Sequence, residues 1–423
     1  MKQRLVSLDV LRGLTIILMT IVNNPGDWGN VYAPLLHAEW HGCTPTDLVF
    51  PTFLFIVGVS IVLATPQKTW NVAVLQRIIT RALRIFCLGL FSGFFIRIQM
   101  FGLEGLPLLG VRLLITAIIV VALFADYDKN WQFLVAFFIF LVMMILAFGG
   151  FEPFNTVRIP GVLQRIAVVY LIASLLYLRT GWVTQAIVGV VILLVYWAVM
   201  TLIPVPGVGD ANLEKGTNLA AWLDNLLLPG HLWATSKTWD PEGILSTLPA
   251  IGTGIAGLLT GTLLRANFDK NQKATYLLIG GIAAIVVGWG WSFVFPLNKA
   301  LWTSSFVLYA AGWALVSLAI LYFIIDVKGY AGWTIFWVIF GVNPMVVFFF
   351  SGMIFRVLNA IKVDNPADPA SGQMELVPYL YKYQISPAFA NPMNASLVYA
   401  LLYLILWFVI LWLLYRNKLV FKV

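Results

Sequence analysis

Apolar stretches long enough to cross a bilayer recur from one end of this 423-residue chain to the other, with mostly short polar connections between them. A helix rises about 1.5 Å per residue, so crossing the hydrocarbon core takes roughly 17–25 mostly apolar residues. About twelve stretches meet that length. They fall at 8–23, 47–65, 74–98, 108–125, 131–149, 162–178, 183–203, 243–264, 274–295, 303–325, 334–356 and 395–415. Composition agrees, with 61% of residues hydrophobic and 10% charged, where soluble domains run about half and about a quarter. A cytosolic globule, a disordered chain and a coiled coil are thereby excluded. The expected fold class is an all-α polytopic membrane protein with about twelve transmembrane helices, forming a single domain over 1–423.

Charge sets the expected orientation. The formal net charge is +8, but the cations are scattered between apolar runs, so no nucleic-acid partner is expected. Lys68, Arg77, Arg81 and Arg84 crowd the second connection, and Arg179, Arg265 through Lys273, Lys328, Arg416, Lys418 and Lys422 join them on one side. Short basic loops face the cytoplasm, which puts both termini there. Lys2 and Arg4 resemble the start of a signal peptide. The run from Leu14 to Val22 leads into Asn23-Asn24-Pro25-Gly26 with no small-residue cleavage site, so a retained first span is expected. Two cysteines, Cys43 and Cys87, are too few for a disulfide framework.

The opposite side carries the longer connections 24–46, 150–161, 204–242 and 357–394, and all three histidines, His37, His41 and His231. Long structured loops are usually functional. The densest polar cluster is the first of them with its flanks: Asn23, Asn24, Asp27, His37, Glu39, His41, Thr44 and Asp47. His37 and His41 stand at i, i+4, so on a helix both rings share a face. No third ligand is evident and Glu39 is misplaced for HExxH, so no metal is expected. An imidazole near its ordinary pKa suits a base or acyl carrier, oriented by Asp47 or Glu39. In the first span Asp9 and Arg12 are three apart and can pair. Further polar residues near the outer face are Arg158, Gln164, Arg165, His231, Asp240, Glu242, Asn298, Lys299 and Trp302, while Asn343-Pro344 interrupts the eleventh span. With aromatic faces and amides, these suit the rim of a sugar-binding cavity. The string Gly252-x-Gly254-x-x-Gly257 lies inside a span with no preceding strand, which favours helix packing through Gly257 and Gly261 over nucleotide binding.

Several of these residues sit in longer strings: Ser7-Leu-Asp9-Val-Leu-Arg12-Gly13, Val22-Asn23, and His37-Ala-Glu-Trp40-His-Gly-Cys-Thr44-Pro-Thr-Asp47. Others are Arg158-Ile-Pro-Gly-Val-Leu-Gln-Arg165, Leu228-Pro-Gly-His231, Asp240-Pro-Glu-Gly, Pro296-Leu-Asn-Lys299-Ala-Leu-Trp302 and Asp326-Val-Lys-Gly329. Together they resemble the heparan-alpha-glucosaminide N-acetyltransferase family, lysosomal transmembrane enzymes with bacterial relatives. Set against the lysosomal form, the chain is expected to lack an N-terminal luminal region and first span, to carry an extra pair of spans near 108–149, and to have shorter outer loops.

The resemblance implies one transmembrane acyltransferase domain in a bacterial inner membrane. It would move acetyl from cytosolic acetyl-CoA, a co-substrate, to the amine of a glucosamine-type sugar at the outer face. It matches the active histidine to His37, the asparagine after the first span to Asn23, and the charged pair to Asp9 and Arg12. Chemistry fills the remaining expectations. Asp47 or Glu39 orients His37, Asn23 serves as oxyanion donor or thioester positioner, and Arg12, Arg77, Arg81 and Arg84 take the CoA phosphates. Glu39, Trp40, Arg165, His231, Asn298, Lys299 and Trp302 face the acceptor. A homodimer is left open. The rivals are a multi-pass sugar transporter, an O-acetyltransferase of a cell-wall glycan, and a non-catalytic scaffold, the last disfavoured by the cost of so many polar groups in lipid.

Overall fold

The computed structural model describes residues 5–65, 67–367 and 372–421. Lys2, Arg4 and Lys422 lie outside them. The helices in order are α1 (Val6–Val22), α2 (Val49–Ala64), α3 (Val72–Arg97), α4 (Gly105–Phe124), α5 (Lys129–Phe148), α6 (Val162–Arg179), α7 (Trp182–Leu202) and α8 (Leu219–Leu227). After them come α9 (Ile244–Arg265), α10 (Lys270–Trp291), α11 (Ser304–Tyr322), α12 (Ile335–Val342), α13 (Pro344–Ala360), α14 (Leu376–Tyr379) and α15 (Pro392–Arg416). Strand β1 (Lys362–Asp364) pairs antiparallel with β2 (Gln373–Glu375), the one sheet among the described residues.

Among the described residues ten helices are long and apolar enough to cross a membrane, and the bent pair α12–α13 makes eleven if it is one span. The chain is a multi-pass helical membrane protein. The first expected span is α1, 17 residues long. Several helices begin earlier than hydropathy indicates, because their first turns are polar. Helix α10 starts at Lys270, where Asp269 and Gln272 form a capping box, rather than at 274. Helix α3 starts at Val72, capped by Asn71 onto the Val74 amide.

Burial separates a centre from a periphery. Within the most apolar window of each helix, 67% of α9 is buried and 61% of α3 and α6, against 11% of α4 and 17% of α5. The expected extra pair is thus an outlying hairpin, with Leu114 and Phe138 among its exposed side chains. In the centre, α2 and α9 meet backbone to backbone. A Cβ on Gly58 would lie 2.1 Å from the Gly254 carbonyl oxygen, and one on Gly257 2.1 Å from that of Phe55. Close approach through small residues is how helices gain van der Waals contact where lipid offers no hydrophobic drive. The Gly252–Gly257 string therefore serves packing.

At Asn343-Pro344 the chain turns by 76°. Proline lacks an amide donor and disfavours helical geometry in the residue before it. The buried Asn343 side chain then bonds the Leu419 carbonyl and the Phe421 amide, drawing the end of the described chain onto the break.

Each end of the bundle has its own connections. At one end Lys68 Nζ donates to the Thr180 carbonyl (2.6 Å), Arg265 to Tyr177 Oη (3.1 Å) and Lys270 to the Asp326 carbonyl (2.9 Å). At the other end the loops 23–48, 149–161, 203–243 and 292–303 bond to one another. Trp40 Nε1 donates to the Leu213 carbonyl, and the Ile159 amide to the His231 carbonyl.

Candidate active site

A cavity of about 460 Å³ opens among those loops. His37, Glu39, Trp40, Asp47, Asn23 and Lys299 all line it. Residues 36–44 are not helical, so His37 and His41 do not share a helix face; His41 instead lies 3.4 Å from Asn298 Nδ2. What fixes His37 is the turn that follows. Pro45–Leu48 forms a 3₁₀ turn leading into α2. It presents Asp47, 1% exposed, with Oδ2 accepting from the amides of Ala38 (3.1 Å) and Thr44 (3.0 Å) and from Thr44 Oγ1 (3.1 Å). The other oxygen, Oδ1, takes His37 Nδ1 at 2.7 Å. A carboxylate only accepts, so Nδ1 carries a proton, and in the neutral ring the lone pair is on Nε2. That is a base held in one tautomer by a carboxylate that is itself held in place, the arrangement of a base and its orienting group.

Lys299 completes the cluster. Its Nζ stands 3.1 Å from His37 Nδ1, 3.3 Å from Nε2 and 3.8 Å from Asp47 Oδ1. Burial pushes its pKa below the ordinary lysine range, while the charges of Asp47 and Glu242 pull it partly back. The neighbouring Cys43 thiol is pushed up to about 12, chiefly by burial and then by Asp47. It therefore stays protonated and is no nucleophile.

The far wall is aromatic and charged. Trp40, Trp233 and Trp239 line it, with Trp239 edge-on to both others at 5.3 and 6.0 Å. Arg158 bridges Asp240 (2.5 and 2.8 Å) and Glu242 (2.5 Å), locking two loops together. Burial disfavours that guanidinium's charge, but the two carboxylates outweigh it and hold its pKa above the ordinary arginine value. Lys215 and Glu242 also face the cavity. Only their loop-to-loop placement brings them there, and no local spacing announced Lys215, Trp233 or Trp239.

Four of the expected acceptor ligands do not line this cavity. Asn298 is fully buried and braces its loop, accepting from the Leu301 amide at 2.8 Å. His231 is 5% exposed, with Nδ1 2.7 Å from the Val157 carbonyl oxygen, and ties two loops. Arg165 is 2% exposed and donates to Ser246 Oγ and the Gly243 carbonyl at the start of α9. Trp302 is 1% exposed, donates to Thr253 Oγ1 and packs edge-on against Phe50, a cavity-lining residue. Each supports the cavity from behind.

A second cavity, of about 600 Å³, opens at the other end of the bundle. Arg12, Arg77, Arg81 and Arg84 all line it, with Gln76, Lys129 and Tyr170. Arg12 bonds Asp9 (2.9 Å), Ser60 Oγ (3.2 Å) and the Gly341 carbonyl (3.1 Å). Arg81 lies over the Tyr170 ring at 4.9 Å. Arg84 is 7% exposed, and its Nε has no partner among the described residues. A buried cationic donor left unsatisfied is a natural anion ligand.

The two cavities share helices and meet at one residue. Helix α1 gives Thr15 and Met19 to the outer one and Arg12 to the inner; α6 gives Val162 and Ile166; α13 gives Phe348 and Met345. On α2, Phe50 faces the outer cavity, Ile56 and Ser60 the inner, and Phe53 lines both.

Comparison with known proteins adds two findings. Residues 4–202 match a family model described as a domain of unknown function (DUF5009). Heparan-alpha-glucosaminide N-acetyltransferase of Mus musculus is 27% identical over 476 aligned residues, taking in 99% of this chain and 60% of the mouse protein. That of Homo sapiens is 26% identical, with the same coverage of both chains. The chain spans about 60% of the length of these curated relatives, and along nearly all of its own length it is similar to them.

Proposed function

We propose that the protein is a transmembrane acetyltransferase. It takes acetyl-CoA at its basic end and delivers the acetyl group to the amine of a glucosamine-type sugar at the His37 end. The observation that carries this reading is that the two cavities meet at Phe53, which lines both. One is lined with cations suited to phosphates, and the other with a tautomer-fixed imidazole. The similarity to proteins named as N-acetyltransferases supports the reaction class. The positive-inside bias puts the arginine cavity on the cytoplasmic side and both termini with it. On that reading α1 and the α12–α13 pair complete twelve crossings of an inner membrane.

In the reaction, the acceptor nitrogen attacks the thioester carbonyl carbon and His37 Nε2 takes the amine proton. The C–S bond breaks as the amide forms, and the proton passes to the leaving thiolate. His37 can also take the acetyl group itself and then yield it to the amine, splitting one step into two. Asn23 reaches into the same cavity as an additional polar donor. The three tryptophans offer stacking faces for the sugar and Glu242 a partner for its amine.

The test uses purified protein with labelled acetyl-CoA and glucosamine. Labelled N-acetylglucosamine should accumulate, and His37→Ala, still folded by its melting curve, should lose the transfer. Unchanged turnover in that variant would remove His37 from the mechanism.

A further inference from the structure

Lys299 touches the imidazole without occupying the place where the imidazole reacts. The two ring nitrogens flank Cε1, and their outward in-line directions point well apart. A donor in line with the Nε2 lone pair would be far more remote from Nδ1 than the observed 3.1 Å. The near-equal distances to the two nitrogens set the ammonium out of line with both. The in-line position at Nδ1 belongs to Asp47. The in-line position at Nε2 is left to a reacting group, with a cation beside it. Among the described residues, Asp47 bonds to this ring and Lys299 stands against it. Asn23 shares the cavity but makes no bond to it.

We propose that Lys299 is a catalytic residue, whose ammonium holds the carbonyl oxygen of the thioester as negative charge builds on it. This deepens the acetyl-transfer reading and rests on it. When the amine nitrogen, aligned on Nε2, bonds to the carbonyl carbon, the C=O π pair moves onto oxygen and a Lys299 N–H donates to it. His37 accepts the amine proton. The oxygen then returns its pair, the C–S bond breaks, and His37 hands the proton to sulfur. Lys299 ends as it began. A donor already placed where charge develops is the strongest aid such a step can have. The placement is rigid: the buried Asn298 pins the loop, and Asp47 at 3.8 Å keeps a counter-charge near. The depressed pKa of Lys299 adds a readout, because the cation is lost at lower pH than in an ordinary lysine.

The test is steady-state kinetics of the full-length wild type, Lys299→Gln and Lys299→Arg, with acetyl-CoA and glucosamine varied in turn. The glutamine variant should lose about 100- to 1,000-fold in kcat, with KM for both substrates nearly unchanged. The arginine variant, which keeps the charge, should recover part of the loss. In the wild type kcat should fall on an alkaline limb below the ordinary lysine pKa, and that limb should move upward in Lys299→Arg. An unaltered kcat with a raised KM for glucosamine would overturn the proposal and make Lys299 an acceptor ligand. An arginine variant that folds but is no better than glutamine would overturn it too. Absence of transfer in the wild type would instead remove the acetyl-transfer reading itself.

Discussion

The inner and outer cavities share four helices and one phenylalanine, yet they obtain their polar groups in opposite ways. The inner one takes its cations from helices. Arg77, Arg81 and Arg84 stand at i, i+4 and i+7 on α3, so a single helix face presents all three. The outer one takes its chemistry from loops. His37 and Asp47 come from the first connection, Glu242 and Lys299 from two others, brought together by contacts that span up to 262 positions. On the proposed reading the difference is one of function as well as construction. A helix face makes a broad field that tolerates an extended anionic ligand. Interlocked loops hold a few atoms to the tolerance that bond making requires.

If that contrast is right, substitutions in the two cavities should separate rate from affinity. The largest effect belongs to Asp47→Asn, which leaves His37 without its orienting carboxylate and should lower kcat roughly 100- to 10,000-fold with little change in KM for acetyl-CoA. A change confined to that KM would break the contrast. Next, Arg81→Ala and Arg84→Ala should each raise KM for acetyl-CoA roughly 10- to 100-fold, the worth of a charge-assisted bond, and leave kcat at saturation close to wild type. Equal losses in both parameters would place these arginines in the chemistry instead.

A smaller effect should come from the junction. Phe53→Trp puts extra volume where the cavities meet and should lower transfer by about tenfold or more, while adenosine 3′,5′-bisphosphate, which lacks the pantetheine arm, binds as before in calorimetry. Undiminished transfer would mean the acyl arm takes another route.

The smallest effect concerns the frame of the outer cavity. Burial pushes the Asp224 carboxyl up to about 6, against the backbone amides of Ile244 and Asp240 that favour its ionised form. A carboxyl raised above its unfolded value of 3.8 favours the folded state most at low pH, and that contribution is lost as pH climbs through 6. Stability should therefore fall by on the order of 1 kcal/mol between pH 5 and 7.5 through this group. Melting temperatures of the wild type and Asp224→Asn across that range measure it. The same slope in both proteins would assign the effect elsewhere.

Legibility followed the same division. The apolar runs gave away their helices, because crossing lipid demands length and hydrophobicity that are written locally. The Asp9–Arg12 pair, the arginines of the second connection and the break at Asn343-Pro344 are also local, being matters of spacing on a helix or of proline chemistry. Asp47 was legible as a partner for His37 through nearness in sequence, though the turn at 45–48 that aims it was not. Arg165, His231 and Trp302 showed the limit. Their residue types suggested ligands, but type alone does not say whether a polar group faces a cavity or satisfies a neighbour behind it. Lys215, Trp233 and Trp239 lie in a long loop whose course no periodicity records.

The sequence by itself determined a membrane-crossing bundle of helices, a basic end and a polar end, since each depends on interactions within a few turns of one segment. Only the tertiary structure decided that two cavities meet at Phe53, that Lys299 lies against His37, and that several conspicuous polar residues are braces. Those facts depend on which helix faces and loops meet, and that is settled by packing among segments hundreds of residues apart.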